Sequence, residues 1–154
     1  VELAANHFVT VLAFFSKSRE FAMINEYCQG INGMCLSTAC GRYEKEKHGS
    51  VLEAARFELS EESKLHRGRW IQLTPAGHPG VMEAKWAATR FTPFLVIDPV
   101  DDPNPKDQDE EEFIFQDRLP AKLVEQKAYE GSMHLPTMQT VFMALKYLRD
   151  HEYL

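Results

Sequence analysis

Between Phe8 and Ser63 the hydrophobic period changes from that of strands to that of a helix, and a chain that does both lays helices on a sheet. Phe8 to Phe15 reads FVTVLAFF, a β-branched and aromatic run typical of a strand. The polar segment Ser16 to Arg19 follows, and Glu20 to Tyr27 (EFAMINEY) is apolar enough to pair back as a hairpin. Gln29 to Gly33 carries two glycines and reads as a loop, Met34 to Ser37 as a short strand, and Gly41 to Gly49 as a polar loop. From Ser50 onward, Leu52, Ala55 and Leu59 fall on one stripe. Ser50 is placed to cap that helix, with Glu53 as its capping-box partner.

The second half continues the alternation. Trp70 to Leu73 is a strand, and Thr74 to Gly80 (TPAGHPG) holds too many breakers to prolong it. Lys85 to Ala88 and Arg90 to Ile97 look extended, with Pro93 consigning the latter to an edge or bulged position. Phe113 to Phe115 resumes a strand. Pro120 to Tyr129 reads as a helix with Pro at its first position and Gly131 as its stop. A last helix from Pro136 to Arg149 carries Met138, Val141, Phe142, Leu145 and Leu148 at core-facing spacing.

At 154 residues and 44% apolar content, the chain is expected to form one domain over residues 1–154. Cys28, Cys35 and Cys40 form no CxxC pair and have no histidines at zinc-ligand spacing, so they are expected to stay reduced. The run Phe8 to Phe15 is too short to span a bilayer and has no basic leader. A soluble intracellular protein is expected, without a membrane partner. The chain begins with Val, which leaves room for a removed targeting segment or extension and leaves the organelle open.

The net charge of −6 is concentrated between Asp101 and Glu112, where seven acids face the single Lys106. No basic stripe is present to release counterions from a phosphate backbone, which argues against duplex nucleic acid as a partner. An acidic loop repels anions unless it holds a cation; alone, it reads as solvated surface. The helix after Ser50 poses the same choice. Glu58 lies three residues from Glu61 and four from Glu62, so all three project from one side of the helix. Such a face is either wet surface or a set of oxygen donors for a hard cation such as Mg²⁺ or Mn²⁺.

The string Ala54 to Leu65 (AARFELSEESKL) resembles the heart of the Nudix box, R-E-U-x-E-E-x-G-U with U aliphatic. Leu36 to Gly41 (LSTACG) lies where ADP-ribose and ADP-sugar pyrophosphatases of that family carry L-E-L-P-A-G, and Glu26-Tyr27-Cys28 where they have Q-Y-R. His78-Pro79-Gly80-Val81 followed by Glu83 is similar to their S-P-G-F segment with its trailing acid, and Leu135-Pro136-Thr137 to the start of their closing helix.

The resemblance covers nearly the whole chain in order. It implies an α/β/α sandwich with a mixed sheet and Mg²⁺- or Mn²⁺-dependent hydrolysis of a nucleoside diphosphate-linked small molecule such as ADP-ribose or an ADP-sugar. It further implies Glu58 and Glu62 as principal metal ligands, Glu61 as a third, and the backbone carbonyl of Cys40 as a further donor. Asp109 or Glu111 would orient or deprotonate the attacking water, and Glu26, His78, Gly80 and Glu83 would meet the substrate. For His78 the plainer reading is an exposed loop histidine. Trp86 and Phe91 are candidates for a base pocket or, more plainly, core aromatics.

Several residues depart from the family pattern. Phe57 stands in place of the box arginine and Gly49 in place of the glutamate that pairs with it, so both members of a structural ion pair are exchanged together. The interval from Gly41 to Glu58 is two residues longer than the pattern, Lys64 replaces the closing glycine, Ser37 the strand glutamate and Cys28 the arginine of Q-Y-R. Two readings follow: a divergent diphosphatase, or a Nudix-fold scaffold without turnover that serves as a binding module or subunit. Either leaves room for a homodimer or a larger complex.

Overall fold

The computed structural model describes residues 6–109 and 114–154. Its described strands and helices run β1 (Phe8–Phe15), β2 (Glu20–Cys28), a 3₁₀ turn at Gln29–Ile31, β3 (Gly33–Ser37), β4 (Ala39–Arg42), α1 (Val51–Ser63), β5 (Leu65–His66), β6 (Arg69–Gln72), β7 (Val81–Met82), β8 (Arg90–Ile97), β9 (Val100–Asp101), β10 (Ile114–Pro120), α2 (Ala121–Tyr129) and α3 (Leu135–Asp150). The main sheet runs β10-β2-β1-β8-β6, all antiparallel except the β1–β8 pair; β5 and β9 make a separate small ribbon.

The first two strands form the expected hairpin, with Ala13 opposite Ala22 and Phe15 opposite Glu20. They then diverge. The far half of β2 pairs with β3, from Ile24↔Ser37 to Cys28↔Gly33, while the near half of β1 pairs with β4, from Phe8↔Arg42 to Val11↔Ala39. The stretch 33–42 is thus a bent wedge in the fork between β1 and β2, with its bend at the buried Thr38. That wedge presents Cys40 and Gly41 to α1.

Helices cover both faces of the sheet. On one side Ala54, Ala55 and Leu59 of α1 pack on Val9, Val11, Ala13, Ala39, Phe94 and Val96. On the other, Val124 and Ala128 of α2 and Val141, Ala144, Leu145 and Leu148 of α3 pack on Leu12, Phe14, Phe21, Met23 and Leu95. Each such Leu or Phe taken fully from water stabilises the fold by about 1.5–3 kcal/mol. The layers are those of an α/β/α sandwich with a mixed sheet.

Four sequence expectations need correction. Pro93 is neither at an edge nor in a bulge: β8 lies between β1 and β6, with Pro93 opposite Thr10. The Pro93 carbonyl accepts from Leu73 N at 2.9 Å, and because a residue's N–H and C=O point to the same side, the missing donor faces the very end of β6, where the ladder stops at Gln72. Lys85 to Ala88 is not a strand but the tip of the β7–β8 connection, closed by Glu83 N to Thr89 O; Trp86 there is 88% exposed. Pro120 precedes α2 as its N-cap rather than opening it. Finally, Gly41 and Arg42 belong to β4, not to the polar loop. The strand expected at Phe113 to Phe115 runs much further, to Pro120, because Phe115 to Arg118 form a polar, exposed strand paired to β2; Phe113 itself lies outside the described residues.

Candidate active site

The site is built where α1 crosses the wedge. The helix starts as its sequence dictates, with Ser50 Oγ accepting from Glu53 N at 3.2 Å. The Glu53 carboxylate reaches one residue further back than a capping box requires, accepting from Gly49 N at 2.8 Å. The Ala54, Ala55 and Leu59 stripe then fixes the rotation of the helix, and this turns Glu58 and Glu62 toward β4.

Glu62 is only 3% exposed, which overturns the wet-surface reading for that side chain. Its Oε2 accepts from Cys40 N at 2.8 Å, and Gln116 Nε2 of β10 donates to its backbone carbonyl at 2.7 Å. Glu58, half-buried, lies with its carboxylate directly on Gly41, where any Cβ would overlap it. The residue at 41 is glycine because the carboxylate occupies the space of a side chain. Glu61 is also half-buried, and its backbone carbonyl accepts from Lys64 Nζ at 2.6 Å.

Cys40 reports the field of the cleft. Burial first, and then Glu62, Glu26, Glu58 and Glu83, push its thiol well above the usual range. Four carboxylates from α1, β2 and the β7–β8 connection therefore act on one point. The Glu26 carboxyl is pushed up by burial, with His134 acting against it. Cys28 and Cys35 are free thiols like Cys40.

The turn after β6 places the remaining expected residues. Gly80 is buried with φ of +105°, and a Cβ there would lie 2.7 Å from His7 Cε1, so glycine is required on two counts. Arg90 Nη1 donates to Gly80 O at 2.9 Å. His78 is exposed, and its Nδ1 accepts from Gly80 N at 3.0 Å, a turn-forming role that fits the plainer reading. Glu83 is exposed beyond β7. Asp109 is exposed, and Glu111 lies outside the described residues. Phe91 is 2% exposed and belongs to the core.

Sequence reasoning passed over His134. It caps α3 through Nδ1, which accepts from Thr137 N at 3.2 Å, and its Nε2 lies 3.3 Å from Ser37 Oγ. Ser37 Oγ also stands 3.2 Å from Thr137 Oγ1. Histidine is no favoured cap, so the position carries no sequence signal. Ser37, Thr137 and His134 thus form a polar seam between β3 and the start of α3.

The donor set suits a hard cation in kind, since carboxylate oxygens from Glu58 and Glu62 flank a backbone that only glycine permits. Among the described residues, however, no group of three His, Cys, Asp or Glu is arranged to hold a metal ion. Glu58 and Glu62 are the pair of ligands that the described residues bring to β4.

No protein-family profile and no curated protein sequence matches the chain. Solved structures do. One described as an ADP compounds hydrolase superimposes with a TM-score of 0.80 at 18% identity, over 99% of this chain and 78% of that one. The Nudix domain of Shewanella oneidensis NrtR, complexed with ADP ribose, gives a TM-score of 0.69 at 12% identity, over 96% and 90%. A Nudix hydrolase from Nitrosomonas europaea gives 0.62 at 14%, over 93% and 90%. The chain has the Nudix fold. Among the described residues no helix is long and apolar enough to cross a membrane.

Proposed function

We propose that this Nudix-fold protein is a hydrolase that uses Mg²⁺ or Mn²⁺ to cleave the diphosphate bond of a nucleoside diphosphate-linked substrate of the ADP-ribose or ADP-sugar type. One observation carries the reading: Glu62, buried and tied to Cys40 N, and Glu58, laid on Gly41, converge on the same two residues of β4. The descriptions of two structural neighbours, an ADP compounds hydrolase and a domain complexed with ADP ribose, support the substrate class.

A diphosphate bridge resists attack because its oxygens are already negative; a divalent ion, when bound, neutralises them and acidifies a water. Glu58 and Glu62 would hold that ion, with Glu61 and the Cys40 carbonyl as further donors. Asp109 or Glu111 orients the water and takes its proton. The water oxygen bonds to one phosphorus as the bridging P–O bond breaks, giving a nucleoside monophosphate and a phosphorylated second product. Glu26, whose burial favours the protonated form, and the backbone at Gly80 face the substrate, with His78 and Glu83 at the rim. Incubation with ADP-ribose and Mg²⁺ tests the proposal, with AMP and ribose 5-phosphate expected and Glu62→Gln abolishing both.

A second reading, a binding module without turnover, is favoured by the exchange of the box ion pair for Phe57 and Gly49. Calorimetric binding of ADP-ribose with no AMP produced, across a panel of nucleotide sugars, would select it.

A further inference from the structure

The acidic loop after β9 is fastened at its root to the last turn of α1. Its sequence stiffens that root: in Asp102-Pro103-Asn104-Pro105-Lys106 two prolines lock φ, and Asp102 Oδ1 accepts from Asn104 N at 2.9 Å to close the turn. Ser60, 5% exposed, stands where the box pattern specifies no residue type. Its Oγ donates to Asp102 Oδ2 at 2.7 Å and accepts from Lys106 N at 3.0 Å, so one buried hydroxyl holds both ends of the turn. Further bonds run alongside. Asp102 N donates to Lys64 O at 2.9 Å, Lys64 Nζ donates to Lys106 O at 3.2 Å, and the Lys106 ammonium stands 5.8 Å from the centre of the Phe57 ring. On the far side of the loop, Gln116 Nε2 of β10 donates at 2.7 Å to Glu62 O, one of the last carbonyls that a helix leaves unpaired.

The bonds of this clamp are strong in kind. The Ser60 hydroxyl first, and then Asn104 N, hold the Asp102 carboxyl below its usual range, with His66 and Lys106 acting in the same sense. The Ser60–Asp102 bond is therefore charge-assisted. Its consequence is one of reach. Three residues separate Lys106 from Asp109, so the Asp109 Cα lies no more than about 11 Å from that of Lys106. With Lys106 N tied to Ser60, Asp109 is confined to the neighbourhood of the helix turn that carries Glu61 and Glu62.

We propose that Ser60 is a positioning residue for the hydrolysis: through Asp102 and Lys106 it fixes the root of the acidic loop, and with it Asp109, against the helix that bears Glu58 and Glu62. The catalytic consequence rests on the hydrolase reading; the clamp itself is measurable without it. A loop released at its root keeps its charge but samples a larger volume, so its carboxylate is in place for fewer turnovers while substrate and metal bind as before.

Two measurements on the full chain test the proposal, with Ser60→Ala, Asp102→Ala and the double variant. Alanine is a better helix former than serine, so α1 is not weakened by the first change. The first measurement is amide hydrogen exchange without metal. In Ser60→Ala the amides of Asp102 and Asn104, whose own acceptors are untouched, should exchange about ten-fold faster, with those of Val51 to Leu59 unchanged. The second is turnover of ADP-ribose with Mg²⁺. Each single variant should lower kcat by roughly 10- to 100-fold with KM and the Mg²⁺ dependence unchanged, and the double variant should fall no further than the worse single, since both cut one clamp. Unchanged exchange at Asp102 and Asn104 overturns the clamp whatever the activity. Faster exchange with full kcat, or losses that multiply in the double variant, overturns the positioning role and leaves the hydrolase reading standing. Absence of AMP with the unaltered chain removes the hydrolase reading and the positioning role together, and exchange alone then decides the clamp.

Discussion

Gly41 and Lys64 show how single positions set the chemistry and the stability of α1. A methyl group at 41 would take the volume of the Glu58 carboxylate, so Gly41→Ala must rotate Glu58 away while the β4 backbone can stay as it is. Displacing a metal-holding carboxylate by about 1 Å is the kind of error that costs roughly 10²-fold in rate. Under the proposed hydrolase function, kcat for ADP-ribose is expected to fall by about that factor with an unchanged far-ultraviolet dichroism spectrum; full activity would remove Glu58 from the proposed mechanism. Lys64 ends α1 in the left-handed region, with φ of +57°, where glycine is the common solution. A non-glycine residue there costs about 1 kcal/mol, partly offset by the bonds from Nζ to Glu61 O and Lys106 O. Lys64→Gly should therefore raise the urea midpoint by the equivalent of about 0.5 kcal/mol with no change in m. A lowered midpoint would mean that the Nζ bonds outweigh the backbone strain.

Among the elements, α3 is held to the sheet by a hydroxyl relay as well as by its apolar stripe. Thr140 Oγ1 donates to Pro136 O at 2.7 Å and accepts from Thr10 Oγ1, also at 2.7 Å, with both threonines fully buried. Thr140→Val leaves Thr10 without its acceptor and should cost about 1–3 kcal/mol, whereas Thr10→Val leaves the Pro136 bond intact and should cost less. The double variant should cost less than the two singles together, a coupling that thermal unfolding can measure. Strict additivity would deny the relay. The elements best foreseen from sequence are those whose signal is local: the β1–β2 hairpin, the Ser50 cap, and the stripe of α3. Others depended on distant partners. β10 looks too polar to be a strand until β2 is laid beside it, and Pro93 looks unfit for a central strand until β6 is found to end just where its donor is missing.

At the scale of the whole molecule, the acidic triplet was legible as a pattern, but the burial of Glu62 within it came only with the wedge of β3 and β4 that no local signal announces. His7 and His48, for which the sequence carried no signal, prove to be almost wholly enclosed. Both imidazoles sit below their ordinary range: His7 through burial and then Arg90, His48 through burial and then Lys47. When a folded-state pKa lies below the unfolded value, the unfolded chain binds more protons in the interval between them, so stability falls as pH drops through about 6.5. Each such group contributes a slope of at most about 1.4 kcal/mol per pH unit. Glu26 acts with the opposite sign, because its carboxyl is raised: the folded chain binds the extra proton, and its contribution grows as pH falls from the folded pKa toward about 4.5. In phosphate-free buffers the urea-derived stability should therefore decline from pH 7 toward pH 5.5. The decline should be flatter in His7→Gln and His48→Gln, flattest when the two are combined, and Glu26→Gln should steepen the fall below pH 5. An unchanged slope in the double histidine variant would show that neither ring is buried as described.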